Sequence, residues 1–188
     1  MKYIKKFEKV NDKFLIYAID DGDVERVKEL IKQGCNLNVK TSFDDGGDTA
    51  LIKAIRFNNY DIVKLLIDAG ADINLKNEYR GYTPLMASVR YFNSSDDKDI
   101  FEYILDAKPD LNAVDNQHGT AIMMTIYHHH WNMMYALLDA GADPFIKDDD
   151  GDDIFDYVPE YHLENIEKRS PEVYKEYMLR KDVEKYNL

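Results

Sequence analysis

The sequence predicts an all-α fold in which short helix-turn-helix repeats stack in a row, and three observations point to this class. Apolar residues recur at helical spacing in four similar segments, residues 24–38, 60–74, 99–112 and 133–143. Threonine precedes Ala-Leu, Pro-Leu or Ala-Ile three times, at intervals of 34 and 37 residues. Glycine ends the apolar stretch in three of the four segments. A shared pattern with a period of about 33 residues is the signature of a repeat array.

The first helix of each repeat is predicted to begin at its threonine. Thr49, Thr83 and Thr120 each stand before Ala or Pro, which is an N-cap followed by a favourable first-turn residue. In the same register, Asp153 follows Thr120 by 33 residues and Lys13 precedes Thr49 by 36. These starting points predict about five repeats.

The second helix of each repeat is amphipathic. In the second repeat, Ile62, Leu65 and Leu66 lie at i, i+3 and i+4 and therefore share one face. Equivalent helices stop where a left-handed C-cap is least costly, at Gly34, Gly70 and Gly141. One repeat cannot bury both of its apolar helix faces, whereas neighbouring repeats can cover one another.

The sequence Gly-Tyr-Thr-Pro-Leu-Met-Ala-Ser at residues 81–88, with Gly-Ala-Asp-Ile-Asn at residues 70–74, resembles the ankyrin repeat. The resemblance covers roughly residues 11–168. It implies an ankyrin-repeat solenoid with short β-turn tips, in a single domain over residues 1–188. The repeats are expected at roughly 11–43, 44–76, 77–114, 115–147 and 148–169, with a C-terminal capping helix at 170–188.

Some segments depart from the ankyrin pattern. Lys108 stands where the pattern has glycine, which puts the glycine C-cap in doubt there. The turn at residues 41–48 is about three residues longer than the pattern, and residues 92–97 add four between two helices. Such insertions either belong to a binding face or reflect neutral loop drift. Helical caps are expected at residues 1–10, through Tyr3, Ile4, Phe7 and Val10, and after Ser170-Pro171, through Val173, Tyr174, Tyr177 and Met178.

The composition predicts an acidic globular protein, with 45% apolar residues, 32% charged residues and a net charge of −12. No apolar run approaches the ~20 residues of a membrane helix, and the first residues lack a secretory signal's apolar block. The single cysteine, Cys35, excludes an internal disulfide framework. We therefore expect a cytoplasmic monomer. Because its acidity repels phosphates, we expect it to bind neither nucleic acid nor membranes but a protein, which could offer a basic surface.

The motifs of common catalytic sites are missing from the sequence. It has no Gly-x-x-x-x-Gly-Lys phosphate loop, no dinucleotide-binding Gly-x-Gly-x-x-Gly and no serine nucleophile elbow. We therefore expect a protein that is not an enzyme and that uses no cofactor.

Two clusters keep a metal-binding or enzymatic alternative open. Consecutive helical residues splay about 100° apart, so the histidines at 128–130 cannot converge on one ion there, although His118 or His162 could add ligands. The acidic run at 148–153 fails the calcium-loop pattern, because Tyr157 falls where glutamate is needed. We favour an inter-helix turn for the first cluster and an acidic turn with Asp153 as N-cap for the second.

Proteins that resemble this one contact partners through the turn tips and the exposed ends of the first helices. Phe57, Tyr91 and Tyr127 are expected at one structural position in three successive repeats, with Arg56 and Arg90 beside two of them. Tyr and Arg are enriched among interface hot spots. The alternative is that these rings pack between repeats. The predicted protein-binding residues are Arg56, Phe57, Tyr79, Arg80, Tyr82, Arg90, Tyr91, Tyr127 and His128.

Acidic tips are expected to flank this surface, with Asp44, Asp45 and Asp48 at one tip and Asp149, Asp150 and Asp152 at another. These carboxylates would complement a partner that has basic residues at the edges of its binding surface. The predicted function is therefore a non-enzymatic protein–protein interaction module, acting as adaptor or inhibitor. Two alternatives are an immunity or inhibitor protein that blocks a basic enzyme such as a toxin, and a metal-binding or enzymatic protein using the clusters at 128–130 or 148–153. A third is a structural spacer.

Overall fold

The computed structural model describes residues 13–43, 46–92 and 98–186. Its backbone contacts group the chain into two compact units, an N-terminal unit of residues 1–109 and a C-terminal unit of residues 110–188. A single domain over residues 1–188 stays a prediction. Within the described ranges the chain forms helices and turns, with two isolated β-bridges and no strand. The predicted N-terminal cap at 1–10, the tip residues Asp44 and Asp45, and residues 93–97 of the insertion predicted at 92–97 lie outside the described residues.

The N-terminal unit consists of three helix pairs. These are α1 (Lys13–Asp20) with α2 (Val24–Lys32), α3 (Ala50–Arg56) with α4 (Tyr60–Asp68), and α5 (Pro84–Arg90) with α6 (Lys98–Asp106). First helices pack on first helices and second helices on second helices, so each pair covers the next. Equivalent positions fill the core with side chains that are at most 1% exposed: Leu15, Leu51 and Leu85 in the first helices, and Leu30, Leu66 and Ile104 in the second.

Threonine caps the first helices, as predicted. The Thr49 hydroxyl accepts a hydrogen bond from the Ile52 amide at 3.1 Å, and Thr83 does the same for Met86 at 3.3 Å. These bonds satisfy one of the amides that a helix start leaves without a partner. Pro84 follows Thr83 in the first turn, where its missing N–H costs nothing.

Lys108 takes over the role of the C-cap glycine in the third repeat. Its φ is 57°, in the left-handed region, and its amide donates to the Leu105 carbonyl at 3.0 Å. A side chain in this conformation costs about 1–2 kcal/mol, which packing elsewhere in the repeat offsets. The helix therefore ends in the usual geometry without the usual residue.

The C-terminal unit contains α7 (Ala121–Tyr127), α8 (Trp131–Asp139), α9 (Ile154–Tyr157), α10 (Glu160–Arg169) and α11 (Pro171–Tyr186). Thr120 caps α7 through the Met123 amide at 3.4 Å, again as predicted. Helix α9 has only four residues and ends before Pro159, because proline disfavours a helical residue in front of it.

The C-terminal helix α11 begins at Pro171, as predicted, but buries its apolar face only in part. Val173, Tyr174 and Tyr177 are half-buried, whereas Met178 is 38% exposed. The expectation that Met178 closes the core is therefore wrong. The Tyr177 ring stacks on Phe155 with their centroids 4.2 Å apart, so the first half of the helix makes this packing contact.

Candidate protein-binding site

Phe57 is a predicted contact residue whose ring is accessible. It follows α3 as its C-cap and is 50% exposed. The Lys53 ammonium lies 5.6 Å from its ring centroid and the Arg56 guanidinium carbon lies 5.8 Å away. Lys53 pairs with Asp20 and Arg56 pairs with Asp48, each at 2.8 Å. The ring is therefore held by two cations that are themselves fixed, an arrangement we call the Phe57 patch (Lys53, Arg56 and Phe57).

Asp48 anchors this patch from the interior. It is 1% exposed, so its predicted place at an exposed acidic tip is wrong. The Asn77 amide donates to its Oδ1 at 2.9 Å, its own backbone N–H donates to the Thr41 hydroxyl at 2.9 Å, and Arg56 faces Oδ2 as an ion pair. A buried carboxylate needs such partners, because removing it from water is costly. Asp48 is therefore a structural residue that ties the base of one tip to α3 and to the next tip.

An aromatic pair lies on two neighbouring tips of the N-terminal unit. Phe43 is 61% exposed and Tyr79 is 59% exposed. Their ring centroids are 6.0 Å apart at 73°, an edge-to-face geometry, and the Arg80 guanidinium carbon lies 5.5 Å from the Tyr79 ring. We call Phe43, Tyr79 and Arg80 the tip patch. Sequence reasoning missed Phe43, although its position in the lengthened turn at 41–48 was a usable signal.

Backbone hydrogen bonds hold the two tips together. The Glu78 and Tyr79 amides donate to the Gly47 and Gly46 carbonyls at 3.2 and 3.3 Å. Gly47 has φ 59°, and a Cβ atom there would lie 2.6 Å from the Glu78 Cβ. Only glycine fits this approach, so Gly46 and Gly47 of the lengthened turn form a defined contact with the next tip.

Tyr82 is not available to a partner, contrary to the prediction. Its side chain is 8% exposed. Its amide donates to the Asn77 side-chain oxygen at 2.8 Å, and its carbonyl accepts from the Asn77 amide at 2.9 Å. Sequence position alone placed it at a tip, but this closed turn directs the ring inward.

Arg90 and Tyr91 end α5. Arg90 is exposed, and Tyr91, the C-cap, is half-buried. Burial raises the pKa of the Tyr91 hydroxyl, and the charge of Asp48 adds to this, whereas Arg56 opposes it through a hydrogen bond and its charge. The alternative that some of the predicted rings pack between repeats therefore applies to Tyr91 in part.

In the C-terminal unit, Tyr127 is 79% exposed and ends α7, while His128 follows as the C-cap. The prediction that Tyr127 repeats the position of Phe57 and Tyr91 is wrong, because the C-cap equivalent to those two residues is His128. The turn after each helix supports this equivalence. The residue that follows the C-cap has a left-handed φ in both repeats, 52° at Asn58 after Phe57 and 59° at His129 after His128.

The three histidines form the predicted inter-helix turn. The rings of His128 and His130 stack with centroids 5.7 Å apart, and His129 lies 5.7 Å from Trp131. His130 occupies the N-cap position of α8 without a side-chain capping bond, and burial, followed by the His129 charge, lowers its pKa. Among the residues that the structure describes, no group of three or more His, Cys, Asp or Glu side chains is placed to hold a metal ion.

The acidic run forms a self-bonded turn. Asp148 Oδ1 accepts from the amides of Asp150 and Asp152 at 3.0 and 3.1 Å. The Tyr157 hydroxyl contacts Asp148 Oδ2 and Asp152 Oδ2 at 3.0 and 3.1 Å. Asp153 caps α9, as predicted, and accepts from the Phe155 amide at 2.9 Å. The carboxylates of Asp148 and Asp153 thus accept from the backbone of the turn, whereas Asp149 and Asp150 are exposed and Asp149 Oδ1 lies 2.6 Å from the His118 Nδ1.

Stacked helix pairs with threonine caps and paired tips define a helical-repeat protein. A family model described as "Ankyrin repeats (3 copies)" matches residues 2–77, and one described as "Ankyrin repeat" matches residues 80–116. The chain belongs to the ankyrin-repeat family, and the predicted fold class is confirmed. Ankyrin repeats are protein–protein interaction modules. No curated protein shows significant similarity to the chain. None of the described helices has the length and apolar character needed to cross a membrane.

Proposed function

We propose that this chain is a non-enzymatic adaptor or inhibitor that captures a partner protein through the Phe57 patch and the tip patch of its N-terminal unit. The observation that carries the proposal is the half-exposed Phe57 ring, fixed in place by two ion-paired cations. Arg90 and the exposed part of Tyr91 extend this surface along α5. Tyr127 and His128 are the contact residues that we propose on the C-terminal unit.

The energetics favour binding over a purely structural role for these rings. An aromatic side chain offers about 150–250 Å² of area, so half of Phe57 still presents on the order of 100 Å² to solvent. At about 25 cal/mol per Å², covering it stabilises a complex by roughly 2–3 kcal/mol. Because the ring is already held, little conformational entropy is lost on binding.

Affinity capture from the native host, followed by quantitative mass spectrometry, tests this proposal. The wild-type chain is compared with the double variant Phe57→Ala/Tyr79→Ala and with Tyr161→Ala, which removes a ring that is 70% exposed in the C-terminal unit. We expect a partner enriched by the wild type and by Tyr161→Ala, and at least tenfold less by the double variant. Equal capture by all three would refute the proposed surface.

A sharper version is an inhibitor, such as an immunity protein, that covers the active site of a basic enzyme. The net charge of −12 and the exposed carboxylates of Asp149 and Asp150 support it, because opposite charge steers association. We expect the association rate with such a partner to fall about tenfold or more between 50 mM and 500 mM salt. A salt-independent association rate would argue for an adaptor instead. A monomer acting in the cytoplasm, without nucleic acid or membranes, remains part of the proposal.

A further inference from the structure

A histidine is one of the few buried side chains of α10 in the C-terminal unit. In this helix, all of which the structure describes, His162 is 8% exposed and Ile166 is 0% exposed, and the other side chains are more accessible. The helix that follows, α11, has no buried side chain among residues 171–183. The buried attachment of α10 therefore depends on two side chains, and one of them is ionisable.

Aromatic rings surround the His162 imidazole. The Trp131 ring of α8 has its centroid 3.9 Å away, and the neighbouring Tyr161 ring lies at 4.4 Å. The Tyr135 hydroxyl, also from α8, is the hydrogen-bond partner of Nδ1 at 2.7 Å. Nε2 is buried and makes no hydrogen bond to any residue that the structure describes. The site therefore holds a neutral imidazole and lacks an acceptor for the second N–H of an imidazolium.

The charged groups on the helices that pack around His162 are engaged with one another. Asp139 of α8 pairs with Arg169 of α10, Glu164 pairs with Lys168 within α10, and Lys181 of α11 contacts Tyr177 and interacts with the charge of Glu160. The Arg169 guanidinium carbon lies 5.0 Å from the Tyr135 ring, so a positive charge is already close to this site. His130, the remaining ionisable group at the start of α8, is itself held neutral by burial, which lowers its pKa. None of these groups supplies a counterion for a protonated His162.

Protonation of His162 is therefore coupled to the packing of α10 on α8. Burial lowers the pKa of His162 from its usual value near 6.5. Ring faces attract a cation, but the lost hydration and the unpaired N–H oppose this attraction. Once α10 moves away from α8, the imidazole reaches water and takes up a proton with its ordinary pKa. The packed state is thus fully favoured above pH 6.5 and loses stability as the pH falls below that value.

We propose that His162 makes the attachment of α10 sensitive to pH, so that mild acid releases this helix from α8 and uncovers the Trp131 and Tyr135 rings. The rest of the C-terminal unit stays packed. Its core between α7 and α8 consists of side chains that do not ionise and are at most 1% exposed: Ile122, Met134 and Leu137. The release is local, in the way that helices with few buried contacts open before the core of a protein does.

Hydrogen–deuterium exchange of the full chain, resolved by mass spectrometry into peptides, tests this inference at pH 8.0 and pH 5.0. Protection factors are compared, because they correct for the intrinsic effect of pH on amide exchange. Uptake of one proton at the ordinary histidine pKa favours the open state by up to about 30-fold at pH 5.0. We expect protection in α10 to fall by about 10- to 30-fold between the two pH values, and protection in α7 to fall by less than about threefold.

Two variants remove the ionisable group, and a third serves as the control. His162→Gln keeps an oxygen that can accept from Tyr135, and His162→Phe keeps a ring. In both we expect the pH-dependent loss of protection in α10 to shrink below about threefold, whatever their protection at pH 8.0. His129→Asn removes an exposed histidine whose ring lies 5.7 Å from Trp131, and asparagine adopts the same left-handed φ at position 58. This control is expected to respond to pH as the wild type does.

Four outcomes would overturn the inference. Protection of α10 in the wild type could be independent of pH, or it could rise in acid because the rings stabilise the imidazolium. The pH response could persist in both His162 variants, which would assign it to another group. Protection could also fall equally in α7 and α10, which would show that the whole unit unfolds and that α10 is not released by itself.

Discussion

The buried carboxylate of Asp48 gives the most direct test of how the N-terminal unit is held together. Asp48→Ala leaves the Asn77 side-chain amide without its acceptor, and Asn77 is only 7% exposed. An unsatisfied buried donor costs about 1–3 kcal/mol. Arg56 also loses its partner, but 31% of its side chain is exposed, so water limits that loss to about 1 kcal/mol. We expect a total destabilisation of about 3 kcal/mol.

Urea and thermal unfolding, followed by circular dichroism, measure this loss. For a chain of this size, 3 kcal/mol corresponds to roughly 6–12 °C in Tm. Asp21→Ala is the matched control, since it removes the same charge from an exposed position of the same unit and is expected to change stability by less than about 0.5 kcal/mol. Asp48→Asn retains an oxygen that can accept from Asn77, so its loss of stability is expected to lie between those of Asp48→Ala and Asp21→Ala. If Asp48→Ala is no more destabilising than Asp21→Ala, the network contributes nothing and the reasoning is refuted.

Three further predictions concern the tips, the buried histidine and the clusters. Gly47 and Gly70 both have positive φ, but an alanine Cβ would clash with the Glu78 Cβ at Gly47 and would have no atom within 4 Å at Gly70. We therefore expect the urea midpoint of Gly47→Ala to fall well below that of Gly70→Ala. Equal midpoints would contradict this. His162 is buried, and burial lowers its pKa below the ordinary 6.5. Because the unfolded chain takes up the proton first, Tm is expected to fall as pH drops below about 6.5, and less so in His162→Phe. If His162→Phe leaves the dependence of Tm on pH unchanged, a group other than His162 causes that dependence. A chelator is expected to leave Tm unchanged, and metal analysis of the purified protein is expected to find less than one zinc or calcium per ten chains; a chelator-sensitive Tm would revive the metal-binding alternative.

Local chemistry made the repeat pattern predictable. Thr49, Thr83 and Thr120 cap helices because their hydroxyls reach amides three residues ahead, a contact that needs no tertiary structure. Local chemistry also predicted Asp153, which caps α9 through the Phe155 amide, and Pro171, which occupies the first turn of α11. Apolar residues at helical spacing likewise indicated which face of each helix is buried, because residues three and four positions apart lie on one side of a helix.

The accessibility of individual tip residues was not predictable in this way. Asp48 and Tyr82 were expected at the surface and are buried, whereas Phe43 was overlooked and is exposed. The burial of Asp48 depends on a partner 29 residues away, Asn77, whereas Tyr82 is buried by a turn that Asn77 closes only five residues before it. The register of Tyr127 was misjudged by one residue although the sequence contains it: Phe57 and Tyr91 lie eight residues after their capping threonines, and His128, not Tyr127, lies eight residues after Thr120.

By itself, then, the sequence determined the family, the helix starts and the stacking of amphipathic pairs, because each follows from contacts within a few residues or from a repeated pattern. Only the tertiary structure decided which aromatic rings face solvent, that two paired cations hold Phe57, and that Tyr177 of the last helix stacks on Phe155. Those features depend on long-range packing, in which a side chain's exposure is set by neighbours that the sequence order does not reveal.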